Sequence, residues 1–89
     1  MEINVKISKI LESERYISKK DGKEYIKHYF LGVTGGDYPK TICFSCMGDK
    51  FGTFGLEVGC DYSVSFDVVS REWKGRWFTD VSCWRVVKI

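Results

Sequence analysis

Two arginines and three large aromatic rings crowd into the eight residues Arg71-Glu72-Trp73-Lys74-Gly75-Arg76-Trp77-Phe78. Guanidinium groups bind phosphate oxygens through charge-assisted bonds, and an indole or phenyl face can stack on a base. Arg71, Trp73, Lys74, Arg76 and Phe78 are therefore candidates for one wall of a groove that holds a single nucleic-acid strand. The bland alternative is that Trp73 and Phe78 cover the end of a barrel, with the cations keeping that surface hydrated. A second cluster lies upstream, where Lys20 and Lys23 precede Tyr25, Lys27 and Tyr29. Interleaved cations and aromatics on a strand face suit a groove that tracks a phosphate backbone. The competing reading puts the tyrosines partly in the core and leaves the lysines solvated. Tyr38 and Lys40 flank Pro39 and are weaker candidates, since a tyrosine packed on its own proline explains the same residues.

Other chemistries find less support. Cys43 and Cys46 have the two-residue spacing of a metal or redox pair, but residues three apart on a strand point to opposite faces. Cys60 and Cys83 supply no second close pair, and a structural zinc site normally takes four ligands. All four cysteines read as small buried hydrophobes, the usual state of the free thiol. His28, the only histidine, has no evident nucleophile or carboxylate partner and reads as a strand surface residue. Gly52-Thr53-Phe54-Gly55 lacks the lysine and the strand-to-helix context of a phosphate loop. Neither catalysis nor a metal or other cofactor is expected.

The elements that must position these residues follow from a period of two, the signature of strands. Ile3, Val5 and Ile7 alternate with Asn4, Lys6 and Ser8, predicting a first strand over about Ile3 to Leu11. Lys19-Lys20-Asp21-Gly22-Lys23 has the composition of a hairpin loop. A second strand is expected from about Glu24 to Thr34, with Tyr25, Lys27 and Tyr29 sharing a face. Which parity points outward is ambiguous, and Gly32 could mark a bulge that switches faces midway. Gly35 to Pro39 reads as a turn, and Thr41 to Cys46 as a short third strand. Met47, Phe51 and Phe54 fall at helical spacing within 47–59, though Gly48, Gly52 and Gly55 make that helix weak.

The last third fixes its own register. Strands over Asp61 to Arg71 and Trp77 to Ile89, joined by a two-residue turn at Lys74-Gly75, set Trp73 opposite Arg76 and Arg71 opposite Phe78. Val68 then faces Val81, and Phe66 faces Cys83. Directly paired residues share a face. One side thus collects Phe66, Val68, Val81 and Cys83 as core, and the other Asp67, Arg71, Trp73, Arg76, Phe78, Asp80 and Ser82. A slip of one residue would scramble this sorting. Asp67 and Asp80 read as balancing charges for the arginines. Five strands with a short helix between the third and fourth make the order of an all-β OB-fold, a Greek-key barrel whose outer face and loops bind oligonucleotides and oligosaccharides. An SH3-like barrel is the runner-up and would lack that helix.

Composition agrees with one domain over 1–89. The chain is 44% hydrophobic, 16% aromatic and 29% charged, enough for a packed interior at a length where the core must be efficient. No apolar run approaches the roughly 20 residues that span a bilayer, and the alternating N-terminus is unlike a signal peptide. A cytoplasmic, membrane-free protein with reduced cysteines is the expectation. The net charge is +2, distributed as +3 over 15–40, −3 over 41–70 and +2 over 71–77. Two basic stretches flanking an acidic one give a mild polyanion footprint.

Several blocks carry a resemblance: Tyr38-Pro39-Lys40, Cys43-Phe44, Gly48-Asp49-Lys50, Leu56-Glu57-Val58-Gly59, Val64-Ser65-Phe66-Asp67, and above all Glu72-Trp73-Lys74-Gly75-Arg76-Trp77-Phe78-Thr79-Asp80-Val81 with Trp84. Together they resemble a bacterial family known as a domain of unknown function, similar in fold to single-stranded DNA-binding OB proteins. The resemblance covers nearly the whole chain and implies the OB barrel. It implies no activity, so a nucleic-acid ligand rests partly on analogy of fold.

The leading expectation is a non-catalytic module for single-stranded DNA or RNA with little sequence selectivity. The alternative is a protein-interaction or assembly module on the same barrel, favoured by the low net charge, the acidic middle and the exposed aromatics. A homo-oligomer fits either reading, as small barrels often pair through strand edges.

Overall fold

In the computed structural model, which describes residues 1–48 and 50–89, the element order is β1 (Glu2–Ile10), β2 (Glu14–Ile17), β3 (Glu24–Thr34), β4 (Thr41–Met47), α1 (Lys50–Phe54), β5 (Asp61–Trp73) and β6 (Arg76–Lys88). Asp49, counted above with the acidic stretch and the matched blocks, lies outside the described residues. The strands form one sheet in the order β1-β5-β6-β4-β3-β2, and an additional β1–β3 pairing closes it. The closed ring therefore consists of β1, β5, β6, β4 and β3, the five-stranded barrel expected. The sixth strand was not expected. β1 pairs with β3 from Phe30 to Thr34, and β2 pairs with β3 from Glu24 to Lys27, so β2 continues the line of β1 along the same edge. The Leu11 N–H donates to the Tyr29 carbonyl at 3.0 Å in the gap between them.

Alternation decides which side chains fill the barrel. Val5 and Ile7 of β1, Phe30 of β3, Phe44 of β4, Tyr62 and Val64 of β5 and Cys83 of β6 form the buried cluster. The Phe30 and Phe44 rings stack with centroids 5.1 Å apart, and Phe66 meets Phe44 edge-on at 5.9 Å. α1 is a short helix, as the spacing suggested, but it begins after Met47. Its Phe51 and Phe54 pack against the core as expected. Met47 instead ends β4, where its partner is Lys27 on β3. A left-handed Gly55 (φ 59°) follows the last helical residue, the usual way a helix stops. Buried under this cap, Tyr62 accepts a hydrogen bond from the Glu57 N–H (2.9 Å) and donates one to the Gly55 carbonyl (3.3 Å).

Gly32 is not a bulge. β3 and β4 keep an unbroken register from Lys27↔Met47 to Val33↔Thr41, and the irregularity sits instead on β1, between Ile7 and Lys9. Glycine is required at 32 by close approach: a Cβ there would lie 2.7 Å from Val5 Cγ2 and 3.0 Å from Phe44 Cε2.

The β5–β6 hairpin has the register derived above. Trp73 pairs with Arg76, Arg71 with Phe78, Val68 with Val81 and Phe66 with Cys83. Lys74 (φ 52°) and Gly75 (φ 77°) both take positive φ, as a type I′ turn requires. The core face ends sooner than expected. Phe66, Val81 and Cys83 pack inward, but Val68 is 49% exposed. Beyond it the hairpin is a two-stranded arm, exposed on both faces from Val68 to Thr79.

Candidate nucleic-acid interface

The parity of β3 is settled by Phe30, which is buried on the inner side together with Gly32 and in line with the half-buried His28. Tyr25, Lys27 and Tyr29 accordingly share the outer face, beside Tyr16 and Glu14 of β2, which pair with Tyr25 and Lys27. The Tyr16 and Tyr25 rings stack at 5.8 Å with planes 27° apart. The Tyr25 hydroxyl donates to Asp21 Oδ2 at 2.7 Å. That bond holds the Asp21 carboxyl below the usual carboxylate range, and it raises the Tyr25 phenol above its ordinary value. Tyr29 is also raised, first by partial burial and then by the charge of Glu14, to which its hydroxyl donates at 3.3 Å. Both phenols are therefore neutral at physiological pH.

Lys27 links this face to the arm. Its Nζ lies 5.5 Å from the Tyr29 ring centroid and 3.5 Å from Asp80 Oδ2 on β6. The same carboxylate oxygen is 3.6 Å from Arg71 Nη1 on β5. Arg71 lines two clefts. One, of about 350 Å³, is completed by Glu14, Tyr16, Lys27 and Tyr29, and the other, of about 360 Å³, by Glu72, Trp73 and Phe78. At the tip, Lys74 Nζ sits 4.5 Å over the Trp73 ring, a cation–π contact that holds the indole with one face covered. Arg76 pairs with Trp73 on the same side of the arm.

The sequence-derived residues divide accordingly. Lys27, Tyr29, Arg71, Trp73 and Phe78 form a continuous strip, with Tyr25 beside Tyr16 at one end and Lys74 and Arg76 at the other. Lys20 and Lys23 are exposed in the β2–β3 turn, where Ser18 and Asp21 side chains cap their backbone N–H groups at 3.3 and 3.0 Å. Tyr38 and Lys40 belong to the β3–β4 turn and line neither cleft. Tyr38 is 86% exposed. The Lys40 N–H donates to Thr34 Oγ1 at 2.9 Å, tying that turn down. Sequence reasoning missed Tyr16 and Glu14. The available signal was Arg15-Tyr16-Ile17 ahead of a polar turn, mirrored by Tyr25-Ile26 after it.

Two further expectations need correction. His28 is not a surface residue: it is half-buried and stacks on Phe51, with centroids 4.4 Å apart and planes 8° from parallel. Cys43 is exposed, not buried. Cys46 is buried on the other side of β4, so the two thiols diverge as strand geometry demands. Burial, with Cys46 beside it, pushes the Cys83 thiol up to about 12. Among the described residues no group of three or more histidines, cysteines and carboxylates is placed to hold a metal ion. Nor is any described helix long and apolar enough to cross a membrane.

A closed five-stranded barrel with a short helix between its third and fourth strands is an OB-fold. Among solved structures, the crystal structure of the mitochondrial single-stranded DNA binding protein Rim1 from S. cerevisiae is similar, with a TM-score of 0.66 over 100% of this chain and 92% of that one. At 14% identity, the likeness is one of fold. Residues 2–87 match the family described as a domain of unknown function, DUF3127, and the chain belongs to that family. No curated protein matches it.

Proposed function

We propose that the chain is a non-catalytic OB module that binds single-stranded nucleic acid with little sequence selectivity. The observation that carries this reading is the position of Arg71, which joins the Lys27–Tyr29 face of the barrel to the Trp73–Phe78 face of the arm. A strand laid along that strip would set its phosphates against Lys27, Arg71 and Arg76 and its bases against Trp73, Phe78 and the Tyr16–Tyr25 pair. Base-edge readout calls for convergent donors and acceptors, whereas stacking accepts any base. Rings and cations dominate this strip, so weak selectivity follows. Similarity in fold to a protein named for binding single-stranded DNA supports the reading. The proposal takes residues 1–89 as a single such domain, acting without a cofactor.

Trp73 is 61% exposed and belongs to the arm rather than the core, so its removal should leave the fold intact. Stacking is worth about 1–3 kcal/mol per base by alanine substitution. Trp73→Ala should therefore bind a labelled oligothymidylate roughly 5- to 150-fold more weakly by fluorescence anisotropy. Unchanged affinity in a folded variant would remove the arm from the site. A second reading, a protein-interaction module, is favoured by Trp77, which is 68% exposed on the opposite face of the arm. A protein contact centred on that ring would show little of the ionic-strength dependence that phosphate contacts impose.

A further inference from the structure

One carboxylate oxygen lies between two cations that come from different parts of the fold. Asp80 Oδ2 is 3.5 Å from Nζ of Lys27, on the barrel strand β3, and 3.6 Å from Nη1 of Arg71, on the arm strand β5. The Lys27 side chain is 16% exposed and that of Asp80 31%. Lys27 is thus largely covered, with the Tyr29 ring as its other neighbour. Glu14 is the other carboxylate at this place, engaged by the Tyr29 hydroxyl. An oxyanion held between an ammonium and a guanidinium is what a phosphodiester oxygen would become on entering the cleft. Charge-assisted N–H···O contacts normally close to about 2.7–2.9 Å, so at 3.5 and 3.6 Å the carboxylate is loosely held and displaceable.

We infer that Asp80 is a built-in competitor for the phosphate backbone, occupying the seat between Lys27 and Arg71 until a single strand displaces it. This deepens the nucleic-acid reading and rests on it. In the empty protein Asp80 keeps two cations from repelling each other across the cleft. In the complex it is the group that must give way, which lowers affinity and leaves an anion beside the bound strand. The acidic residue on the basic face is then an affinity-setting device rather than a surface charge.

The consequence is opposite in sign to that of a positioning role. Asp80→Asn keeps the side-chain shape and removes the competing charge. Because both contacts are long and the Arg71 partner is exposed, the carboxylate is only weakly held, and the variant should bind oligothymidylate only about three- to ten-fold more tightly at low salt. One or two additional cations would take part in counterion release. The slope of log K against log salt should therefore steepen by about 0.7 to 1.4. Arg71→Gln should cost more affinity in the Asp80→Asn background than in the wild type, because Arg71 is then unopposed. Asp61→Asn, at the far end of β5 from the arm, makes the same change in net charge and serves as the control. Thermal melting of each variant verifies that it is folded. Tighter binding by Asp80→Asn alone, with the steeper slope, is the expected result. If the wild type binds while Asp80→Asn binds equally or more weakly, the competitor role is refuted and the nucleic-acid reading stands. The same holds if Asp61→Asn tightens binding by as much. If neither wild type nor variants bind at low salt, the nucleic-acid reading itself falls, and the competitor with it.

Discussion

Replacing Gly32 with alanine tests the packing that bends β1 across β3. The added Cβ would lie 2.7 Å from Val5 Cγ2, 2.9 Å from Val5 Cβ and 3.0 Å from Phe44 Cε2. Non-bonded carbons prefer about 3.5–4.0 Å, so three contacts are too short at once. None can be relieved cheaply. Val5 and Phe44 are 2% and 0% exposed, and Gly32 is paired on both sides, with Ile7 of β1 and Ile42 of β4. Overpacking of this kind costs about 1–3 kcal/mol, and the fixed neighbours put this site at the upper end. Alanine's smaller unfolded-state entropy returns about 0.4–1 kcal/mol, leaving a net loss of about 2 kcal/mol. For a domain of this size that lowers Tm by roughly 8–16 °C. Gly35→Ala is the control, since nothing lies within 4 Å of its Cβ position. Thermal melting followed by circular dichroism reads both. A Gly32→Ala protein melting within a degree or two of the wild type would refute the close approach of β1 and β3.

Tyr62→Phe should cost about 1–3 kcal/mol in urea denaturation, because the phenol is buried and its loss leaves the Glu57 N–H without its acceptor; a neutral substitution would mean that the cap over the barrel is not held through this hydroxyl. Iodoacetamide at neutral pH should label Cys43 well before Cys83, since Cys43 is exposed while Cys83 is buried with its thiol pushed up to about 12. Peptide mapping over time reads the order, and equal rates would contradict the burial of Cys83.

The strands were legible where one face is buried and the other is not. The β5–β6 register followed from the two-residue turn at Lys74-Gly75, and a slip of one residue from it would have split Phe66, Val81 and Cys83 between the two faces. β2 was illegible for the converse reason: all four of its residues are exposed, so it shows no contrast between faces. The outward side of β3 was ambiguous because both parities carry aromatics, Tyr25 and Tyr29 on one and Phe30 on the other. Gly32 presented the same difficulty in another form. A glycine in a strand marks either a bulge or a close approach, and only the position of Val5 distinguishes them. The types of the candidate site residues could be read from the chain, but their assembly could not. Lys27 and Arg71 meet through Asp80 because the arm leaves the barrel at Phe66 in a particular direction, and no local pattern encodes that path.

Intrinsic tryptophan fluorescence during titration with oligothymidylate, at low and at moderate salt, tests the central claim most directly. Trp73 lies on the proposed strip, and its exposure leaves the indole able to report a stacked base. The account predicts saturable quenching at low salt that is lost in Trp73→Ala, with affinity falling steeply as salt rises. A flat signal at low salt, with no shift of the oligonucleotide in a mobility assay, would contradict it and turn attention to Trp77 and a protein partner.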